Sequence, residues 1–325
     1  MKNKKLQLII VILISALGLY IAFLDINWND FISELRSIDL VWYIGGMAAM
    51  LMIIFIRALR WRILLLPMGN YSTVKLYKGT IAGFFTNYIL PFRIGEIARA
   101  YITGKFIEEK GSVLIPSIVI ERLIDGVSFF IFVVIFSFFI ELPLSDQQIS
   151  LIRILLFVIL FVLVLGIYLY YKFSEKITGF LDKKEGKVVN FIKDLHHGML
   201  FLFKVRHPFH IIFYSFLIWF VTGLTYWAGL KAMHIELGLI ESFILFAAAM
   251  VAIAIPAAPG FVGTFHAAMV GALMAFNIDK STAASYAFLQ HLIGMIPLCL
   301  FGFIHFLEAN MSFKEIKSVS RETKQ

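Results

Sequence analysis

Long apolar runs dominate this chain and leave few folds open to it. Hydrophobic residues make up 60% of its 325 residues and charged residues only 15%, outside the usual balance of soluble proteins. A helix that crosses a bilayer needs about 20 mostly apolar residues. We therefore predict an all-α polytopic membrane protein with six transmembrane helices, at residues 6–24, 40–56, 112–140, 149–171, 209–230 and 281–307.

Two further apolar segments, residues 76–105 and 240–277, are each interrupted in the middle by a similar pattern. When Pro91 is aligned with Pro259 without gaps, Gly95 falls on Gly263 and Ala100 on Ala268, and we call this match the repeat alignment. Broken apolar segments at matching places in two halves of a membrane protein are the best sequence pointer to a transporter's binding site. We predict that both segments are re-entrant helical hairpins, and the alternative is a pair of kinked spans.

The distribution of basic residues favours the re-entrant arrangement. With the N-terminus inside, 24 of the 29 Lys and Arg residues lie on the inner side and four on the outer side, in agreement with the positive-inside rule. If residues 76–105 spanned the membrane, the loop 172–208, with eight Lys and Arg residues, would face outward. We therefore expect a multi-pass protein of the cytoplasmic membrane with both termini in the cytoplasm.

Three predicted spans in each half give the two halves opposite orientations, which is an inverted-topology repeat. We treat residues 1–325 as one membrane domain whose first repeat is residues 1–140. Residues 141–208 hold the first span of the second repeat and a basic amphipathic linker on the cytoplasmic surface, and residues 209–325 hold the remainder with a cytoplasmic tail.

The first hairpin carries the charges expected of an anion site. Pro91 and Gly95 break the segment, so that a new helix begins there with unpaired backbone amides that attract anions. The guanidinium groups of Arg93 and Arg99 add formal charge in a shape that matches phosphate oxygens. Asn87 and Glu96 lie in the same segment. The alternative is that Glu96, three residues from each arginine, simply bridges the two on one helix face.

A second polar group interrupts the span that begins near residue 112. Glu121 and Asp125 share a helix face, and Arg122 has the spacing to pair with Asp125. Three ionisable residues in five rarely face lipid. We interpret them as partners of the hairpin arginines or as a proton-coupling site, and a purely structural ion cluster remains an equal alternative.

The second hairpin is less charged. Four residues break it, which are Pro256, Pro259, Gly260 and Gly263. Thr264 and His266 supply its polarity, and His291 on the last span is a candidate to face His266. Three arginines at the inner end of the second span, Arg57, Arg60 and Arg62, are interpreted mainly as interfacial anchors, with Arg57 also a candidate to line an inner vestibule.

The order of these motifs resembles one known family. The motifs are Asn87, Leu90-Pro91, Arg93, Gly95-Glu96, Arg99, Glu121-Arg122, Asp125, Pro259-Gly260 and Gly263. The chain resembles the flippase-like membrane domain of the lysylphosphatidylglycerol synthases, which also exists as a stand-alone protein. The resemblance implies two re-entrant elements and the movement of lipids between leaflets. The family often has glutamate where this sequence has His266, so a shared role at that position does not follow.

We therefore expect a lipid flippase whose substrate has an anionic or phosphate-bearing headgroup. In the full synthases an aminoacyltransferase domain follows the membrane domain, whereas this sequence ends at Gln325, so we do not expect it to lysylate lipids. We also expect no catalytic residues, cofactor, metal or nucleic acid. The alternatives are a membrane transferase or hydrolase that uses Glu96, Glu121 or Asp125 as a base, and a non-catalytic subunit associated with a lipid or glycan synthesis enzyme.

Overall fold

The computed structural model describes residues 2–90, 94–139, 145–202, 207–255, 257–312 and 315, and this part of the chain contains helices and no strand. The α-helices in chain order are α1 Lys2–Phe23, α2 Trp28–Arg36, α3 Leu40–Leu65, α4 Thr73–Ile89, α5 Gly95–Ile107, α6 Gly111–Phe136, α7 Asp146–Lys172, α8 Ser174–Asp182, α9 Lys187–Leu202, α10 Pro208–Ala232, α11 Leu239–Ala254, α12 Thr264–Ala275 and α13 Lys280–Glu308. A short 3₁₀-helix, Pro259–Phe261, lies between α11 and α12.

Four of the described helices, α3, α7, α10 and α13, are long and apolar enough to cross a bilayer. The helices α1 and α2 meet at a bend of 87° and make a fifth if the pair is one span. The structure thus agrees with a multi-pass membrane protein but leaves the predicted count of six spans unconfirmed. Helix α6 is also long and apolar, with 26 residues, and it differs from these four in the three ionisable residues near its middle.

The second membrane span is longer than the sequence predicted. We predicted residues 40–56, but α3 continues without a break to Leu65. Arg57 and Arg60 therefore lie inside a helix, and their side chains are buried within the protein. The sequence favours the longer helix in hindsight, because the apolar residues resume with Ile63, Leu64 and Leu65.

Helices α4 and α5 pack together as an antiparallel hairpin, with the predicted break between Ile89 and Gly95. Glycines let the two backbones come so close that an added Cβ would overlap the partner helix. Residue numbers rise on one helix as they fall on the other at these contacts, which are Gly79 with Thr103, Gly83 with Arg99, and Asn87 with Gly95. The first broken segment is therefore a folded-back pair of helices and not one kinked helix.

Helices α11 and α12 also pack against each other, and the 3₁₀-helix lies between them. Gly260 and Gly263 have φ angles of 72° and 96°, a region that residues with a Cβ rarely adopt. Helix α1 packs on this break, where the Ala258 N–H donates a hydrogen bond of 2.7 Å to Ser15 Oγ. Pro256, the remaining predicted break residue, lies outside the described part of the chain.

Helix boundaries repeat between the two halves of the chain. The repeat alignment carries the starts of α3, α4, α5 and α6 to within two residues of the starts of α10, α11, α12 and α13. The paired helices also have similar lengths, with 26 and 25 residues in the first pair and 13 and 12 in the third. Helices α3 and α10 pack along each other at the centre, which brings the two halves together.

The helices between the halves lie on the outside of the described fold. Helix α7 has no buried residue and packs mainly on α6. Helix α9 corresponds to the predicted amphipathic linker and packs on α6, with Gly198 close to Pro116. His196 connects these elements, because its ring nitrogens lie 2.6 Å from Tyr170 Oη and 2.8 Å from Thr178 Oγ1.

Candidate functional site

Charged side chains from α3, α5 and α6 converge in the first half of the chain. We call this group the ion cluster, and its members are Arg57, Arg60, Glu96, Arg99, Glu121, Arg122 and Asp125. Five of the seven are buried, and Arg60 and Glu121 have no exposed surface. Isolated buried charges are costly, so such a group persists only when its members pair with one another.

Arg99 and Glu121 form the most enclosed pair of the ion cluster. The Arg99 Nη1 and Nη2 atoms donate hydrogen bonds of 3.1 and 2.8 Å to the two oxygens of Glu121, which is the bidentate geometry that favours arginine over lysine. The Arg99 guanidinium also lies 4.0 Å from the centroid of the Trp61 ring. The hairpin helix α5 is thereby held against α3 and α6, as the sequence interpretation of Glu121 as a partner of Arg99 predicted.

Asp125 binds the arginines of α3. Arg57 Nη1 donates to Asp125 Oδ2 over 2.8 Å, and Arg60 Nη2 donates to Asp125 Oδ1 over 2.5 Å. Arg60 also donates from Nη1 to Ser215 Oγ of α10 over 2.9 Å. The sequence predicted Arg57 only as an anchor or a residue of an inner vestibule and Arg60 only as an anchor, and both join the cluster because α3 continues to Leu65.

Arg122 and Glu96 form the accessible edge of the ion cluster. Their side chains are 36% and 26% exposed, and their closest charged atoms are 3.4 Å apart. Arg122 also reaches Glu121 and Asp125, each at 2.9 Å, and the second of these pairs was predicted from spacing. Glu96 thus has Arg122 as its partner in the described structure, and Arg99, to which the alternative interpretation bridged it, pairs with Glu121 instead.

The ion cluster carries an excess of positive charge. Its four arginines outnumber its three carboxylates, which leaves one uncompensated positive charge among the described members. Three of its guanidinium groups also retain a buried Nε–H donor without a hydrogen-bond partner in the described structure, on Arg60, Arg99 and Arg122. Spare donors and excess positive charge are the features that bind an anion.

Comparison with known proteins places this arrangement in a family. The family model for the lysylphosphatidylglycerol synthase TM region matches residues 8–302, which is nearly the whole chain. The chain belongs to this family. The resemblance expected from the motif order is therefore confirmed, and the matched region includes both hairpins and the complete ion cluster.

Two proteins of Methanocaldococcus jannaschii are also similar to this family member. UPF0104 membrane protein MJ1078 is 28% identical over 225 residues, which cover 68% of this chain and 93% of that protein. UPF0104 membrane protein MJ1595 of the same organism is 24% identical over 324 residues, covering 94% and 96% of the two chains. No solved structure matches the chain.

Two other predicted residues of the first hairpin, Asn87 and Gly95, lie against each other where α4 and α5 approach the break. The Asn87 Oδ1 atom is buried, has no hydrogen-bond partner in the described structure and faces Gly95 across the hairpin. Arg93 and Pro91 lie outside the described residues, so their predicted roles stay predictions. Gly95 is buried at the start of α5, where a Cβ would overlap the Asn87 side chain.

In the second hairpin, the structure brings the two predicted histidines together. The rings of His266 and His291 stack with centroids 4.9 Å apart, and His266 Nδ1 accepts a bond of 3.4 Å from the Gly263 N–H. Thr264 Oγ1 donates to the Phe261 carbonyl oxygen over 3.3 Å. Thr264 and His266 therefore stabilise the start of α12, and their described hydrogen bonds are with residues of the second hairpin and not with the ion cluster.

An apolar groove adjoins the ion cluster. It has a volume of 430 Å³ and lies between α6 and α10, with Ile167 of α7 on its outer side. Among the side chains that line it only Ser128 and Ser215 are polar, and Ser215 is the residue that accepts the hydrogen bond from Arg60. Ser215 thus connects the apolar wall of the groove directly to the buried charge of Arg60.

Proposed function

We propose that this protein is a lipid flippase that moves an anionic or phosphate-bearing lipid, including glycolipids with a phosphate, between membrane leaflets. The observation that carries the proposal is the buried ion cluster with one excess positive charge and spare guanidinium donors. A phosphate that enters such a site supplies both the missing negative charge and the acceptors that these donors lack.

The accessible edge of the ion cluster is where the headgroup enters. The contact of Arg122 with Glu96 is the most exposed ion pair of the cluster, so it yields most easily to a phosphate. The pair of Arg99 with Glu121 remains intact during binding, because it is buried and doubly hydrogen-bonded. Glu96 would return to Arg122 when the lipid leaves.

The apolar groove between α6 and α10 accommodates an acyl chain of the same lipid. Its volume of 430 Å³ falls in the usual range for ligand pockets, and Ser215 links its wall to Arg60. Helix α7 covers it only loosely, since none of the α7 residues is buried. A lipid therefore has a lateral path by which its tail stays apolar while its headgroup meets the cluster.

Both hairpins are, in this proposal, re-entrant elements of an inverted repeat in the cell membrane, with cytoplasmic termini. The close antiparallel packing of α4 on α5 supports the first hairpin, and the repeated helix boundaries support the repeat. The orientation rests on basic residues. Without Arg57, Arg60 and Arg99, which are buried in the cluster, 21 Lys and Arg residues remain inside against four outside.

Transport without covalent change fits the geometry better than catalysis. A general base needs a free carboxylate oxygen within reach of the substrate. Arginines bind both oxygens of Glu121 and both oxygens of Asp125, so of the three candidate bases only Glu96, which contacts Arg122 through Oε1 in the described structure, keeps an oxygen for this role. A partner enzyme of lipid or glycan synthesis would act before or after the lipid crosses the membrane.

Vesicles that contain the purified protein test the proposal. Tail-labelled phosphatidic acid is quenched from outside, and the rate of loss of the protected inner pool is followed. We expect Arg122→Gln to slow transport at least tenfold, since it removes the exposed phosphate donor. Arg62→Gln is the matched control, because Arg62 lies near the end of α3 and binds Asn70 outside the cluster. Equal rates for the folded wild type and Arg122→Gln would refute the role of the cluster.

A further inference from the structure

Helices α1 and α7 occupy matching places in the two halves of the chain and share a short sequence pattern. Helix α1 comes before α3, and α7 comes before α10, the helix that the repeat alignment pairs with α3. The run Leu17-Gly18-Leu19-Tyr20-Ile21 of α1 matches Leu165-Gly166-Ile167-Tyr168-Leu169 of α7, with three identities and two exchanges of leucine with isoleucine. The glycine lies five residues before the end of α1 and six before the end of α7. We therefore treat α7 as the counterpart of α1.

The two counterparts differ in what they contact. Helix α1 docks at the break of the second hairpin, where a Cβ on Gly18 would lie 2.5 Å from the Gly263 carbonyl carbon and 2.9 Å from the Thr264 nitrogen. Helix α7 has no buried residue, and Gly166 has open space around it in the described structure. A glycine inside a helix costs stability relative to alanine, and at Gly18 close backbone packing offsets that cost. At Gly166 no contact in the described structure does so.

The first hairpin lacks the third helix that covers the second. Helix α12 packs against α11, α13 and α1. The counterparts of these three are α4, α6 and α7, and among the described residues α5 packs mainly on α4 and α6. The repeat alignment places Thr264 on Glu96. Thr264 is buried, whereas the Glu96 side chain is 26% exposed, so the face that α1 covers on the second hairpin corresponds to the accessible edge of the ion cluster on the first.

Helix α7 lies a short distance from this edge, on a neighbouring face of α6. Its Ile167 lines the apolar groove together with Leu123, the residue that follows Arg122 of the accessible edge. Consecutive residues of a helix point about 100° apart, so the two faces of α6 are separated by that angle. Gly126 lies between them on the helix surface and has open space around it. At the usual interaxial distance of about 9 Å, a movement of α7 around α6 by this angle shifts it by about 14 Å.

The described contacts of α7 fit a swing about its N-terminal end. There, Arg153 Nη2 donates a hydrogen bond of 2.7 Å to the carbonyl oxygen of Ser137, beside the end of α6. Near the C-terminal end, Tyr170 Oη and His196 Nδ1 lie 2.6 Å apart and tie α7 to α9. Gly166 is one helical turn from Tyr170, so this second attachment must release when the C-terminal half of α7 moves. Because no α7 residue is buried, the movement gives up little packing.

We propose that the face of the first hairpin beside the contact of Glu96 with Arg122 is a docking surface for α7 of the same chain. In the docked arrangement Gly166 lies against the backbone at Gly95, in the way that α1 lies against the second hairpin, and α7 covers the accessible edge after a headgroup has entered. The inference rests on the proposed function and adds to it the moving helix that closes the site. The two halves of the repeat then differ as a covered hairpin differs from an open one, and alternating access exchanges these states.

The distance between spin labels on α5 and α7 tests this inference. Lys105 and Tyr168 are replaced by cysteine and labelled in the full-length protein that lacks Cys299, and double electron–electron resonance is recorded in phosphatidylcholine vesicles with and without phosphatidic acid. Both positions are exposed, and Tyr20, the counterpart of Tyr168 on the docked α1, is 61% exposed, so the label should not obstruct docking. We expect phosphatidic acid to add a population that is shorter by roughly 10 Å, which is most of the movement around α6.

A substitution at Gly166 separates docking from binding. Gly166→Leu fills the contact with the first hairpin, whereas in the described arrangement its side chain extends into open space and leaves the fold intact. We expect this variant to bind phosphatidic acid, to lose the shorter distance and to transport more slowly by on the order of tenfold, because closure of a site often limits such cycles. Gly45→Leu makes the same change at an exposed glycine of α3 with open space around it and should behave as wild type.

Each outcome has a distinct meaning. A wild type that transports phosphatidic acid without the shorter distance would overturn the inference and leave the flippase standing, and so would a folded Gly166→Leu that keeps the shorter distance or the wild-type rate. If Gly166→Leu does not fold, the wild-type distances decide alone. A short distance between two copies that carry one label each would assign the surface to α7 of a second copy and overturn docking within one chain. Failure of the wild type to bind and move phosphatidic acid would instead overturn the proposed function, and the inference with it.

Discussion

The pair of Arg99 and Glu121 provides the sharpest measurement of how the hairpin is held in place. Arg99→Met retains most of the apolar stem and removes two hydrogen bonds, of 2.8 and 3.1 Å, from a carboxylate without exposed surface. Loss of one partner of a buried ion pair costs about 3–5 kcal/mol. Glu121 keeps contacts with Arg122 at 2.9 Å and Arg60 at 3.4 Å, so we expect the lower end, about 3 kcal/mol.

The second arm of the experiment removes the other partner. Glu121→Gln leaves Arg99 without its carboxylate and should cost a similar amount, so independent effects would sum to about 6 kcal/mol. The double variant loses one positive and one negative charge and leaves neither partner uncompensated. We expect it to be destabilised by only about 4 kcal/mol, which is a coupling energy of about 2 kcal/mol.

Reversible unfolding in mixed detergent micelles gives the four free energies of this cycle. The matched control is the pair of Lys78 and Glu308, whose side chains are 27% and 43% exposed. An exposed pair should show a coupling below about 1 kcal/mol in the same assay. A coupling of less than about 0.5 kcal/mol for Arg99 and Glu121 would show that the two residues act independently, and the argument from burial would be wrong.

Three further predictions concern the hairpin, the linker and the topology. Gly83→Ala should lower the melting temperature in detergent, because its Cβ would lie 2.9 Å from the Arg99 Cα on α5, whereas Gly126→Ala, with open space around it, should not. Burial, and to a smaller extent the neighbouring His197, lowers the pKa of His196. The neutral ring therefore stabilises the position of α9 fully above about pH 6.5, and this stabilisation is lost as the pH falls. Hydrogen exchange of α9 at pH 7.5 and 5.5 checks this, and a pH effect that persists in His196→Gln would contradict it. Lys75 and Lys110 are each replaced by cysteine, one at a time, in a variant that lacks Cys299. We expect both cysteines to be labelled from the same side of the membrane, and labelling from opposite sides would exclude a re-entrant hairpin.

The helix breaks were predictable because they depend on local backbone chemistry. A proline removes a backbone donor and clashes with the preceding turn, and a glycine permits φ angles that other residues avoid. The positions of Gly95 and Gly263 therefore indicated where α5 and α12 begin, to within one residue. The repeat alignment carried that information from one half of the chain to the other.

The membership of the ion cluster was only partly predictable. Glu121 and Asp125 were identified because charges inside an apolar run need partners. Arg57 and Arg60 were interpreted as interfacial anchors, because a run of arginines after an apolar stretch usually marks the membrane surface. Their spacing of three residues, which places both on one helix face, was the signal that pointed to a shared partner, Asp125.

Under the proposed function, the accessible edge of the ion cluster accounts for both retention and release of a headgroup. A headgroup held only by buried arginines would leave slowly, because each charge-assisted bond is strong. The exposed contact of Glu96 with Arg122 would supply a competing carboxylate that takes back the guanidinium when phosphate departs. Burial of the other arginines would then set the strength of binding, and the Glu96 carboxylate would set the ease of release.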